Sequence, residues 1–543
     1  MPKTMPKKKI VLSGAMSVAL AGTLLAGCSG GSGNDNADKG ASSQPASNSS
    51  ASSSASASAS EKPMDVMFWT TNPEKVNKDS FAVKTVEQQF NVNIELKPRN
   101  SETYREKLLL DIASGQIPDW FNDQNFADYD KFVDQGVVAE IPPELLEQYA
   151  PKYVEWLKKE LGDNPFQYTM RDGKNYSMPI MWSIGPRFHA TGIRQDWLEK
   201  VGITKVPETL DELEVALDKF SHGDPDGNGK QDTIGLTGVF PSIFEPVFGA
   251  YGVYPNIFTE ENGKVVRGEI EPAAKDALTV LAKWYKQGLI DPEFVVNKYS
   301  NADDKIISEK AGVVTNAWWD FTPADAFSGG DYYEKIVTKN PNVKWGVIGA
   351  PTGPNGQKGD QQINPVVSSG LQFGKQLEKD RDKMIKYIQI FEATSFDTPT
   401  YEKVTYGEEG VTFNKNNGDI DWIPPYDKED ERAKYGVGFV QFPGSFNDYD
   451  FLKPYMTKSK YMDIRNETEA KAVGKYDILE PIEKPIFNEY KDRLTQLTNK
   501  AFIDFITGKR PLDQFDQFVA EWKKMGGEKV MAEAQQKYDE VFK

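Results

Sequence analysis

The sequence holds very little of what most catalytic machinery needs. Its 543 residues include one cysteine, Cys28, and two histidines, His189 and His222. A lone thiol excludes an intrachain disulfide. No H-E-x-x-H or G-x-S-x-G run occurs, so the common zinc sites and nucleophilic triads find no support. His222 reads as a turn residue rather than a base. Clustered positive charge is missing too: the net charge is −17, with no basic patch in the body of the chain, which argues against nucleic acid as a partner. After the N-terminus no apolar run is long enough to span a bilayer. The enzyme class left open is an exported glycosidase, which needs only two carboxylates at a set separation, and 81 acidic residues supply many pairs. An adhesin or structural surface lipoprotein is a third reading.

Other features are plentiful. Lys3 and Lys7 to Lys9 precede an apolar stretch from Ile10 to Leu25, and Leu25-Ala-Gly-Cys28 sets small residues ahead of the cysteine. This is a secretory signal whose cleavage site resembles a bacterial lipobox. The resemblance implies that Cys28 becomes the lipidated first residue of a protein held on the outer face of the cell membrane; the alternative is an ordinary signal with an incidental cysteine. Loss of residues 1–27, which carry four lysines and no acid, moves the net charge from −17 to −21. Ser29 to Ser60, nearly all Ser, Ala, Gly and Asn, reads as a disordered tether.

From residue 63 onward strands and helices alternate. Asp65 to Trp69 and Val92 to Lys97 read as strands around a helix from about Asp79 to Phe90, a β-α-β unit. Thr209-Leu-Asp-Glu212 is a capping box opening an amphipathic helix through Phe220. Further helices are expected over Ala273 to Gln287 and Arg381 to Ala393, a buried strand over Ala311 to Ala317 and another over Lys344 to Ile348. Three helices close the chain from about Ile486. The fold class is therefore α/β, with doubly wound lobes and a C-terminal helical block.

The run Asp224-Pro-Asp226-Gly-Asn228-Gly-Lys230-Gln-Asp232-Thr233 reads as a calcium loop. Oxygen-bearing side chains at alternate positions, turned by glycine, suit a hard cation wanting six to eight oxygen ligands. Asp224, Asp226, Asn228 and Asp232 would give side-chain oxygens and Lys230 its carbonyl, with Thr233 closing the set. The twelfth position is Gly235 rather than glutamate, and a strand follows instead of a helix. The expected role is a structural clip, not a sensor; the alternative is a polar surface turn needing no metal.

Ser114-Gly-Gln-Ile-Pro-Asp119-Trp120 follows a helix and an N-terminal strand ending in Trp69. Downstream come Asp172-Gly-Lys-Asn-Tyr-Ser-Met-Pro179, Gly192 to Gly202, Pro207 to Leu213, Trp284 to Pro292 and Thr507 to Gly527. In this order these stretches resemble the extracellular solute-binding proteins of carbohydrate ABC importers, above all the large lipoprotein branch of alginate-type oligosaccharide binders, whose members carry a calcium loop at this place. The resemblance implies a type II periplasmic-binding-protein-like fold with multiple hinge crossings, residues 63–178 plus about 316–375 forming one lobe and 179–315 plus about 376–543 the other. It also implies an oligosaccharide ligand, permease subunits as partners, a monomer, and no covalent chemistry.

A two-lobed binder draws ligand groups from both lobes and from the crossings. Sugar rings stack apolar faces on aromatics and offer hydroxyls to polar groups. The candidates are Trp69, Asn72 and Asn122 in the first lobe, Trp182 and Arg187 after the first crossing, Trp318 and Trp319 after the second, and Glu409 and Trp422 in late loops. Trp120, Trp197, Trp284 and Trp522 read as core. For Trp69, Trp182, Trp318 and Trp422 core and cleft both stay open, and of the Trp318-Trp319 pair one is expected to face the cleft and one to pack. Arg187 either clamps an acidic sugar or forms an ordinary ion pair.

Overall fold

A computed structural model describes residues 62–100, 103–122, 126–327, 330–366, 368–442 and 448–543. Cys28, the signal and the tether lie outside the described residues.

The β-α-β unit forms as its pattern requires. Strand Met64–Thr70 pairs in parallel with Val92–Pro98, and helix Phe81–Phe90 between them buries Ala82, Val83 and Val86. A third strand, Val440–Gln441, arrives from late in the chain and runs antiparallel to the first, opposite Trp69 and Thr70. A second small sheet joins Trp120–Asn122, Ser368–Phe373 and Met178–Ile180. Helix Arg381–Phe396 lies across this lobe: Phe391 meets Phe68 edge-on and packs against Trp120, while the Tyr387 hydroxyl accepts the Met67 amide N–H at 2.7 Å.

The second lobe is built on a four-stranded sheet in the order Trp345–Gly349, His189–Arg194, Ala311–Ala317, Ile234–Leu236. Only the last pairing is parallel, so the sheet is mixed. Helices Leu210–His222 and Pro272–Lys286 bury Leu217, Phe220, Leu281 and Trp284 against it. The capping box is present, with Thr209 Oγ1 accepting the Glu212 amide N–H and the Glu212 carboxylate accepting that of Thr209. The C-terminal helices Pro485–Ile506, Phe515–Trp522 and Glu528–Phe542 share this core through Phe502, Phe505, Phe518 and Trp522. At the end of the chain Phe542 meets Tyr168 of the first lobe edge-on at 5.8 Å.

These pairings correct the expected lobe boundaries. Residues from 316 to about 349 stay in the second lobe, because Ala311–Ala317 and Trp345–Gly349 both hydrogen-bond to His189–Arg194. The chain rejoins the first core at Val366 and leaves it after Phe442, so residues 376 to about 442 belong to the first lobe. The chain crosses at residues 181–184 and 350–366, and it leaves the first core at Phe442 and joins the second lobe at Tyr449. Segment order alone did not reveal this, because an antiparallel neighbour can come from any later part of the chain.

Candidate functional site

In open α/β sheets ligands lie beyond the carboxyl ends of the strands. In the first lobe those ends border a cavity of about 250 Å³. Arg99, one residue past Val92–Pro98, lines it with Asn122, Tyr401, Thr405 and Gln441, and the Trp120 ring and Ile180 supply apolar wall. Arg99 Nη1 donates to Gln441 Oε1 at 2.7 Å, and its guanidinium lies 4.0 Å from the centre of the Tyr104 ring. The Asn122 amide N–H donates to Tyr104 Oη at 3.2 Å, and Asn122 Oδ1 accepts Ser368 Oγ at 3.4 Å.

Two residues beyond Ile180 the first crossing begins an aromatic row. Trp182, 37% exposed, stands 5.1 Å from Phe188; Phe188 meets Trp319 edge-on at 4.8 Å, and Trp319 leans on Phe327 at 4.6 Å. The Trp182 amide N–H donates to the Pro365 carbonyl at 2.7 Å, so the row starts where the first two crossings touch. A second aromatic group joins the lobes. Tyr455 of helix Tyr449–Met456 stacks on Tyr406 at 5.7 Å, packs on Tyr401, and donates its hydroxyl to Glu402 Oε1 at 2.7 Å.

The sequence candidates divide accordingly. Asn122 lines the cavity, and Trp182 and Trp319 stand partly exposed in the row. Trp318 is fully buried against Phe327, so the pair splits into one packed and one accessible ring. It follows a strand of the second lobe rather than a crossing, contrary to the expectation. Trp69 is core: it is buried, and Trp120 and Tyr104 cover its ring edge-on. Asn72 belongs to a turn, its carbonyl accepting the Val76 amide N–H at 3.0 Å. Arg187 takes the ion-pair reading, its Nε 3.4 Å from Glu469 Oε1 and its Nη2 donating to the Ser183 carbonyl. Glu409 is exposed in a turn bridged to Phe413. Trp422 lies not in a loop but on hairpin strand Asp419–Trp422, covered by Arg432 at 4.8 Å and Tyr406 at 5.6 Å. Sequence reading missed Arg99, Phe188, Tyr401, Tyr406, Gln441 and Tyr455. The strand-end rule applied to the second strand, as it was to the first, points to Arg99; Gln441 meets Arg99 across 342 residues and Tyr455 meets Glu402 across 53, and neither pairing carries a local signal.

The Asp224 loop closes on itself. Asp224 accepts amide N–H groups of Asn228 and Gly229 at 2.9 and 3.0 Å, and Asn228 Nδ2 donates to Asp226 and Asp232 at 2.7 and 3.0 Å. Lys310 Nζ lies 2.9 Å from Asp232. Gly227 and Gly229 hold φ near 77° and 78°, the left-handed turns that aim these carboxylates inward. Among the described residues no group of three or more His, Cys, Asp or Glu side chains is arranged to hold a metal ion. The Thr233 hydroxyl donates to the Phe220 carbonyl at 2.6 Å, pinning the loop to the preceding helix.

At the second crossing the fully buried Asp360 lies with helix residue Glu245 and the half-buried His189. Burial pushes the Glu245 carboxyl up to about 8 and Asp360 well above the usual range, and lowers His189. His189 Nδ1 lies 2.7 Å from the Gln361 carbonyl and 3.7 Å from Glu245 Oε2.

Comparison with known proteins accords with this architecture. The chain is 26% identical over 96% of its length to Lipoprotein LipO of Bacillus subtilis, covering 97% of that protein. It is 28% identical over 56% of its length to the fructooligosaccharide ABC transporter substrate-binding protein FusA of Streptococcus pneumoniae, covering 54% of it. Among solved structures, alginate-binding protein AlgQ2 without calcium ion superposes with a TM-score of 0.55 at 20% identity, over 88% of this chain and 99% of that one. An extracellular solute-binding protein from Bifidobacterium longum subsp. infantis gives 0.59 at 16% identity, over 90% and 100%. The model of the bacterial extracellular solute-binding protein family matches residues 72–372, and the chain belongs to that family, whose work is binding rather than turnover.

Proposed function

We propose that this protein captures an oligosaccharide between its two lobes and hands it to the permease of an ABC importer, held at the cell surface through a lipid on Cys28. The observation that carries the reading is the row Trp182, Phe188, Trp319, which begins two residues past Ile180 of the first-lobe cavity wall. Flat apolar faces beside amide and hydroxyl groups match the two-sided chemistry of sugar rings. The names of FusA and of the polygalacturonan/rhamnogalacturonan-binding protein YtcQ, 24% identical over 65% of the chain, support the same ligand class.

The Asp224 loop is proposed to take calcium. Three carboxylates, an amide and the Lys230 carbonyl would supply an oxygen-rich donor set of the hard-cation kind once the loop rearranges around the ion. The carboxylate charge is met in this structure by the Asn228 amide and the Lys310 ammonium, donors that a cation would replace. Bound there, the ion would tie helix Leu210–His222 to strand Ile234–Leu236.

Titrating the purified body with kestose and with galacturonate oligomers, while following heat of binding, melting temperature and products by chromatography, tests the reading. Binding and stabilisation without products are expected. Turnover of any sugar, or no binding to any, overturns it.

A further inference from the structure

The first-lobe cavity has an electrostatic character that the general reading does not require. Of the residues lining it, Arg99 alone carries a charge; the others are apolar groups, amides and hydroxyls. The chain as a whole holds more acids than bases, 81 against 64, so a wall with a lone base and no acid departs from its balance. Among the described residues no carboxylate pairs with Arg99: its side-chain partners are the neutral Gln441 amide and the Tyr104 ring. Other arginines near the crossings are neutralised, Arg187 by Glu469 and Arg194 by Asp196 and Glu309. Gln441 and Tyr104 orient the guanidinium without cancelling its charge, which leaves donors of its planar fork for an incoming anion. The cavity, at about 250 Å³, is the size of a single sugar residue rather than a chain.

We propose that this cavity is an end subsite that receives one terminal uronic acid residue, Arg99 binding its carboxylate and Asn122, Thr405 and Gln441 its hydroxyls. The inference rests on the oligosaccharide reading and narrows it to acidic oligosaccharides, with the aromatic row carrying the units that follow.

Isothermal titration of the wild-type protein with trigalacturonate, its methyl ester and kestose tests it. The acid should bind about ten- to a hundredfold more tightly than the ester, the usual worth of a charge-assisted pair, and this preference should shrink as salt rises. In Arg99→Gln the acid-to-ester ratio should fall close to one, and in Arg99→Lys it should be partly kept. Equal binding of acid and ester by the wild type, or a preference for kestose, overturns the subsite while leaving an oligosaccharide binder standing. Failure to bind all three overturns both. The wild-type comparison needs no variant, so a misfolded Arg99→Gln protein does not spare the proposal.

Discussion

Trp318 and Trp319 are chain neighbours with opposite environments, and each makes its own prediction. Trp318 is 0% exposed, wedged beside Phe327 and within 5.9 Å of the Arg465 guanidinium. Trp318→Ala should cost about 3–5 kcal/mol of stability, read as a lower denaturation midpoint. Trp319 and Trp182 are partly exposed, so alanine there should weaken sugar binding about two- to tenfold, the loss of one stacked aromatic, with a much smaller effect on melting. A Trp182→Ala protein that binds normally would remove the row from the site. That one ring of the Trp-Trp pair packs while the other stays accessible was legible in the sequence, because consecutive side chains diverge. The sequence did not show that Trp69 is core, because an indole at a strand end is enclosed or open according to what arrives over it, and here Trp120 and Tyr104 arrive from later in the chain.

At the scale of single elements, the Asp224 loop and the second crossing each store a measurable linkage. Calcium at a hundred times its dissociation constant should raise stability by about 2.7 kcal/mol if it binds the folded loop alone. Asp226→Ala should abolish that increment and leave sugar preference unchanged; a shift in preference without a change in melting would refute the clip. At the crossing, folded Glu245 keeps its proton to about pH 8, whereas the unfolded group loses it near 4.5. Between these values the folded state binds more protons, so this carboxyl makes stability fall as pH rises. Asp320, held by burial near 7, and Asp360 act with the same sign. His189, whose burial favours the neutral form, acts oppositely below about 6.5. Glu245→Gln should therefore flatten the decline in melting temperature between pH 5 and 8, measured at constant ionic strength. Helices, capping box and loop were all legible because their signals are local. The buried carboxyl pair was not, because residues 245 and 360 meet only once the lobes are connected.

For the whole molecule the decisive fact is that the segment just after the third crossing touches both lobes. Thr457 and Lys458 bond to the carbonyls of Ala326 and Asp325 in the second lobe, at 2.9 Å each. The adjoining Ser459 amide N–H reaches Asp419 Oδ1 at 2.6 Å, and Lys458 Nζ reaches Asp421 at 2.9 Å, both on a hairpin whose Trp422 packs on the first core. Lys159 of the first lobe adds a bridge to Asp450 at 2.6 Å. Exposed ion pairs of this kind are each worth about 0–1 kcal/mol, so together they bias the lobes toward each other without locking them, as a closing binder requires. The α/β layering was legible from the alternation of strands and helices, and the two-lobe plan from the order of motifs that resemble the solute-binding family. The assignment of late segments was not, because it depends on which lobe an antiparallel strand returns to. The strap also gives a direct test of hinge motion. The natural sequence has a single cysteine, outside the body, so a body carrying Asp419→Cys and Ser459→Cys has only one disulfide it can form. Oxidation should slow both association and release of sugar in stopped-flow tryptophan fluorescence, and reduction should restore both. Unchanged rates in the oxidised protein would mean that ligand enters without separating these segments, and the strap would then be part of a fixed wall.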